Sequence, residues 1–148
     1  MTTVRRPGRV ALAGGLVLSL GLAGIAAAWA GLPGPSGPGP LTAEIAIHYS
    51  HYQPDRLVVA VGQPLTVVLR NGDPIDHEWI VGDEATHERH RTGMEPAHGG
   101  RPTEVSIPAG ASRTTTVAFD MPGTYRFICH LPGHEAYGMV GTVVVTGD

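Results

Sequence analysis

Near the C-terminus, the run Cys129-His130-Leu131-Pro132-Gly133-His134-Glu135-Ala136-Tyr137-Gly138-Met139 carries the chain's only cysteine, a histidine and a methionine, with four residues between each. A thiolate, an imidazole and a thioether that close together point to copper. Soft sulfur ligands select copper over hard cations, and two histidines with a cysteine and a weak axial methionine form an electron-transfer arrangement. One histidine is missing from the run. His77, in Asn71-Gly72-Asp73-Pro74-Ile75-Asp76-His77-Glu78-Trp79, is the candidate, because it lies on a separate segment that a β-sandwich can fold over the loop.

Taken singly, each of these residues has an ordinary reading: a lone cysteine is a small buried hydrophobe and a methionine fills core space. The set is more specific than its members. Two strand-like runs bracket the loop, and Pro132, Gly133 and Gly138 supply the turns that let three side chains converge.

The spacing C-x4-H-x4-M, with a histidine six residues after Asn71, resembles the cupredoxins, the small blue copper proteins, over roughly residues 45–145. The resemblance implies Cys129, His77 and His134 as strong equatorial ligands, Met139 as the axial ligand, and one type 1 copper. Many relatives carry Asn or Ser directly after the upstream histidine to help hold the ligand loop. Here that position is Glu78. A second resemblance, to the last copper segment of multicopper oxidases, fails on the residue before the cysteine. Ile128 stands where those enzymes have a histidine, and the chain lacks further His-x-His pairs. An enzyme is therefore not expected, and His130 reads as a polar residue on the opposite face of the strand end.

Elements able to position such ligands recur from Glu44 onward. Eight short runs rich in Val, Ile and Thr (44–48, 56–61, 65–70, 78–81, 104–107, 114–119, 125–129 and 141–145) are separated by Gly, Pro, Asn and Asp turn signals. No run has a clear helical period. The expected fold is all-β, an antiparallel Greek-key sandwich of about eight strands over residues 44–148. Segment 82–102 is too polar for core and reads as a solvated excursion with one turn of helix. Its His87, His90 and His98 are expected in solvent, where replacing them alters stability little; a second copper site is the competing reading. His48 and His51, three apart on an extended chain, are expected on opposite faces and so make a poor chelate.

The N-terminus supplies a compartment. Arg5, Arg6 and Arg9 precede an apolar stretch, Val10 to Ala30, ending in Ala28-Trp29-Ala30. That pattern reads as a secretory signal peptide over residues 1–30 or as an uncleaved membrane anchor, since about 20 apolar residues span a bilayer. Both export the rest. Residues 31–43 form a Gly/Pro-rich linker, reaching about 30 Å if extended at ~3.1 Å per residue. Beyond the leader, seven arginines and no lysine stand against 13 acids. This charge argues against nucleic acid and for solubility.

The expected function is transfer of single electrons between redox proteins, as a monomer, through an apolar patch of Leu131, Pro132, Ala136 and Tyr137 around His134. Copper delivery, storage or resistance is the alternative.

Overall fold

The computed structural model describes residues 38–93 and 98–147. The leader, the linker up to residue 37 and Met94 lie outside the described residues. Among the described residues, nine strands and one helix follow in order: β1 (Leu41–His48), β2 (His51–Gln53), β3 (Arg56–Ala60), β4 (Leu65–Asn71), β5 (His77–Gly82), α1 (Glu84–Thr92), β6 (Glu104–Ile107), β7 (Ser112–Val117), β8 (Gly123–Ile128) and β9 (Val140–Thr146). They build two sheets, ordered β2-β1-β4-β7 and β3-β9-β8-β5-β6. Most pairings are antiparallel; β1 with β4 and β3 with β9 run parallel. The fold is the all-β sandwich expected, and β1 begins three residues ahead of the expected domain boundary.

Alternation places the core. Ile45 and Ile47 of β1, Leu57 and Val59 of β3, Leu65, Val67 and Leu69 of β4, and Val143 and Val145 of β9 are buried every second residue and meet between the sheets. Phe127 sits at their centre, edge-on to Tyr52 at 5.1 Å and tilted against Trp79 at 6.1 Å between ring centroids. Such pairs add about 0.5–1.5 kcal/mol beyond their buried area, which helps a domain with few aromatics. The Tyr52 hydroxyl donates to the Glu78 carbonyl, tying β2 to β5.

Strand β5 departs from simple alternation, because both its faces are buried. Trp79 and Val81 point into the sandwich, whereas Ile80 is buried yet lies outside the core cluster. Its direct cross-strand partners are Ile128 on β8 and Glu104 on β6. Residues directly opposite across a pair share a face, so Glu104, Ile80 and Ile128 line the outer face of this sheet, and Glu78 joins them by alternation. Helix α1 packs against β5. The chain hides an outer sheet face under a nine-residue helix where a solvated excursion with one turn of helix was expected.

Nothing aliphatic announces α1. Its sequence, Glu-Ala-Thr-His-Glu-Arg-His-Arg-Thr, is polar apart from the exposed Ala85, and its fully buried residue is His87. The ends are well made: Asp83 Oδ1 accepts from the Thr86 backbone N–H at 2.9 Å. Glu84 opens the helix and Arg89, His90 and Arg91 close it, matching the helix dipole. Strand β2 is also new. Tyr49 and Ser50 adopt positive φ, 51° and 55°, the geometry of a two-residue hairpin. His48 is thereby paired directly with His51. The two histidines share a face, contrary to the expectation from an extended chain.

Candidate metal centre

At one end of the sandwich, β5 begins with His77, β8 runs straight into Cys129, and β9 is preceded by Met139. The connecting loop is closed by its own backbone. Cys129 N–H donates to Met139 O at 3.2 Å, Met139 N–H to His134 O at 3.0 Å, and His134 N–H to Leu131 O at 3.0 Å. Gly133 and Gly138 take φ of 85° and 92°, a region costly for side-chain-bearing residues. Cys129, His77 and Met139 are fully buried.

Three of the four expected ligands converge. His134 Nδ1 lies 3.2 Å from Cys129 Sγ and 3.2 Å from His77 Nδ1, and the three donor atoms could hold a metal ion. Metal–ligand bonds of about 2.0–2.3 Å place neighbouring donors roughly 3.3–3.7 Å apart, so only a small adjustment separates this arrangement from a coordinated one. Asp73 decides the tautomer of His77. Its carboxylate can only accept, so His77 Nε2–H donates to Asp73 Oδ2 at 2.9 Å, leaving the Nδ1 lone pair aimed at the site. Burial pushes the Asp73 carboxyl up, but the Ser50 and Tyr49 amides and the His77 ring outweigh it and hold the acid below the usual range.

Burial pushes the Cys129 thiol up to about 11 against the opposing amides of Leu131 and Glu78. In a metal-free site this sulfur is therefore a thiol, and binding a cation must displace its proton. Burial, followed by the neighbouring His77, pushes the His134 imidazole down, which keeps it neutral and able to ligate. Buried soft and borderline donors with no carboxylate among them suit copper.

The Glu78 departure has a structural answer. Its backbone N–H donates to Cys129 Sγ at 3.3 Å, a bond no side chain need supply. Asn71 braces the turn that leads to His77: its Nδ2 lies 2.8, 3.2 and 3.0 Å from the carbonyls of Ile75, Ile107 and Pro108, and its Oδ1 accepts from Asp73 N–H at 2.9 Å. Sequence reasoning missed Asp73. Its signal was an acid four residues before the upstream histidine.

The histidines expected in solvent are not there. His87 is fully buried, and the side chains of His90, His98 and His130 retain only 5%, 4% and 4% exposure. Closure of α1 over the outer face of β6-β5-β8 turns its polar residues inward. His87 Nδ1 lies 3.0 Å from His130 Nε2, and His90 stacks on His130 with centroids 5.6 Å apart. Burial lowers the His87 pKa, and burial with His87 alongside pushes His130 down to about 4. Among the described residues, Trp79 Nε1 and His90 Nε2 are the buried side-chain nitrogens without a hydrogen bond. Each such atom costs about 1–3 kcal/mol. Replacing these histidines therefore cannot be neutral for stability.

With the geometry in view, the sequence relationships are specific. Residues 22–145 match the family model described as cupredoxin-like domain. The chain belongs to the cupredoxin family. It is 34% identical over 97 residues to the copper-resistant cuproprotein CopI of Rubrivivax gelatinosus, an alignment covering 64% of this chain and 59% of that protein. It thus spans less than two thirds of that relative's length. Auracyanin-A of Chloroflexus aurantiacus is 31% identical over 74% of this chain and 77% of its own; its solved structure, described as a "blue" copper protein, superimposes with a TM-score of 0.53 at 27% identity, covering 73% of this chain and all of that one. Dithionite-reduced auracyanin from Roseiflexus castenholzii gives a TM-score of 0.61 at 27% identity, covering 74% of this chain and 99% of that one. Copper is the cofactor that this family and these donors fit.

Proposed function

We propose that this protein carries single electrons outside the cytoplasm, with His77, Cys129 and His134 as the strong copper ligands and Met139 as the weak axial one. The observation that carries the reading is the convergence of two imidazole nitrogens and the Cys129 sulfur at a buried, backbone-closed loop. Bound copper supplies the Cu(II)/Cu(I) couple. The residues of the chain supply the rest: the closed loop fixes the ligands, the apolar core excludes water, and the Glu78 and Leu131 amides stabilise the sulfur. Similarity to the auracyanins supports the carrier role, and the basic and apolar N-terminal stretch, Arg5 to Ala30, supports export.

Electrons would leave through the partly exposed His134. Pro132, Ala136 and Tyr137 are exposed around it and Leu131 half-buried, and Tyr137 is 75% exposed. That patch suits the brief, small-area docking of redox partners to a monomeric carrier. The test is repeated redox cycling of the copper-loaded protein in the presence of a strong Cu(I) chelator. A carrier cycles reversibly and keeps its metal; loss of copper to the chelator in the reduced state sinks the reading.

Copper handling is the second reading. It is favoured by the similarity to a copper-resistant cuproprotein, and that same loss of copper would support it.

A further inference from the structure

On the outer face of β6-β5-β8, beneath α1, His90, His98 and Glu104 bring one donor atom each within 4.8 Å of one another. Glu104 Oε2 lies 3.7 Å from His90 Nε2 and 3.8 Å from His98 Nδ1. We propose that these three residues form a second metal site, separate from the cysteine-containing centre, for a divalent first-row ion of imidazole affinity such as Cu(II) or Zn(II).

Each donor is oriented. His90 Nδ1 lies 2.7 Å from the Thr86 carbonyl, which can only accept, so the proton sits on Nδ1 and Nε2 carries a lone pair. That Nε2 is buried without a hydrogen bond, which is how a ligating imidazole looks before its ion is added. The far nitrogen of His98, Nε2, faces Glu78 Oε1 at 3.5 Å, the carboxylate–histidine pairing that orients metal ligands. Glu104 is divided between two tasks. Its Oε1 accepts from Arg89 at 2.7 Å and Arg101 at 2.9 Å, which turns Oε2 toward the imidazoles.

The charges choose the ion class. Two arginines offset the Glu104 and Glu78 carboxylates, so a dication gains little from net negative charge and must bind through the imidazole lone pairs. That disfavours calcium and magnesium, which want oxygen cages, and favours copper, zinc or nickel. Three protein donors leave a fourth position for water. A cavity of about 350 Å³, lined by Glu78, His90, His98, His130, Leu131 and Pro132, provides room for it. The two sites share backbone at His77–Glu78 and Cys129–His130 but use opposite faces of the sheet.

The test adds Cu(II) to the full chain already carrying its cysteine-bound copper, with metal counted by elemental analysis after equilibrium dialysis and the new species recorded by EPR. We expect a second copper per chain, with a wide hyperfine splitting and an unaltered thiolate band. His90→Gln alone, and His90→Gln/His98→Gln together, should lose that second copper and keep the first. A wild-type chain that stops at one copper, or a second copper that survives both variants, overturns the proposal. The chain carrying Cys129→Ser separates this site from the carrier reading, because it should retain the second ion alone; loss of that ion from a folded Cys129→Ser chain also counts against it.

Discussion

Asp73 holds His77, accepts from the Tyr49 and Ser50 amides of the β1–β2 turn, and donates its own amide to Asn71. Its negative charge on the His77 N–H makes the imidazole a stronger donor, which favours Cu(II) over Cu(I). Asp73→Asn removes the charge, and because its amide nitrogen cannot accept, it keeps the His77 and Ser50 bonds only by giving up the one from the Tyr49 amide. The copper should stay bound and the midpoint potential rise, as measured by spectroelectrochemistry; an unchanged potential would mean that this bond positions the ring without tuning it. Met139 acts on the same quantity from the axial side. It is buried, with its backbone pinned to Cys129 and His134. Met139→Leu should raise the potential by removing a donor, and Met139→Gln should lower it by supplying a harder one. If neither substitution moves the potential, Met139 is not the axial ligand.

At the scale of elements, the ligand loop was legible because its chemistry is local: Cys129, His134 and Met139 declare themselves by spacing, and Gly133 and Gly138 mark the turns. Gly138 sits at φ 92°, and a Cβ there meets nothing nearer than His51 Nε2 at 4.0 Å. The cost of Gly138→Ala is therefore backbone strain, about 1–2 kcal/mol, read as a lower denaturation midpoint. An unchanged midpoint would show that the loop relaxes around it. Helix α1 was legible only as one solvated turn, not as a nine-residue helix with a buried side. Its buried side carries His87 and His90 where a pattern search looks for Leu or Val, and only its packing on β5 shows which face is hidden. Strand β2 escaped because three residues are too few for a period. His48 and His51 were misplaced because a hairpin turn, not an extended chain, lies between them. Helix α1 also has a pH signature. Burial depresses the His87 pKa below its unfolded value of 6.5, so protonation favours the unfolded chain. The stability contributed by neutral His87 is complete above about pH 6.5 and is lost as pH falls toward the folded value. Melting temperature should fall from pH 7 toward pH 5, and fall less steeply in His87→Gln; identical slopes would remove His87 from that account.

The whole molecule uses a sandwich with both faces of one sheet occupied. The inner face ends in the His77, Cys129 and His134 cluster, and the outer face carries the histidines beneath α1. Eight of the nine described strands followed from alternating Val, Ile and Thr runs and their turn residues. The parallel pairings of β1 with β4 and β3 with β9 did not, because register and neighbour choice depend on contacts far apart in sequence. The carrier reading rests on one claim above the rest, that the Cys129 thiolate binds copper directly between the His77 and His134 imidazoles. Adding one equivalent of Cu(II) to the purified protein and recording its visible and EPR spectra tests that claim most directly. An intense thiolate charge-transfer band with narrow copper hyperfine splitting, absent in a folded Cys129→Ser variant, is the predicted result. Weak d–d bands alone, or colour that persists in Cys129→Ser, would contradict it.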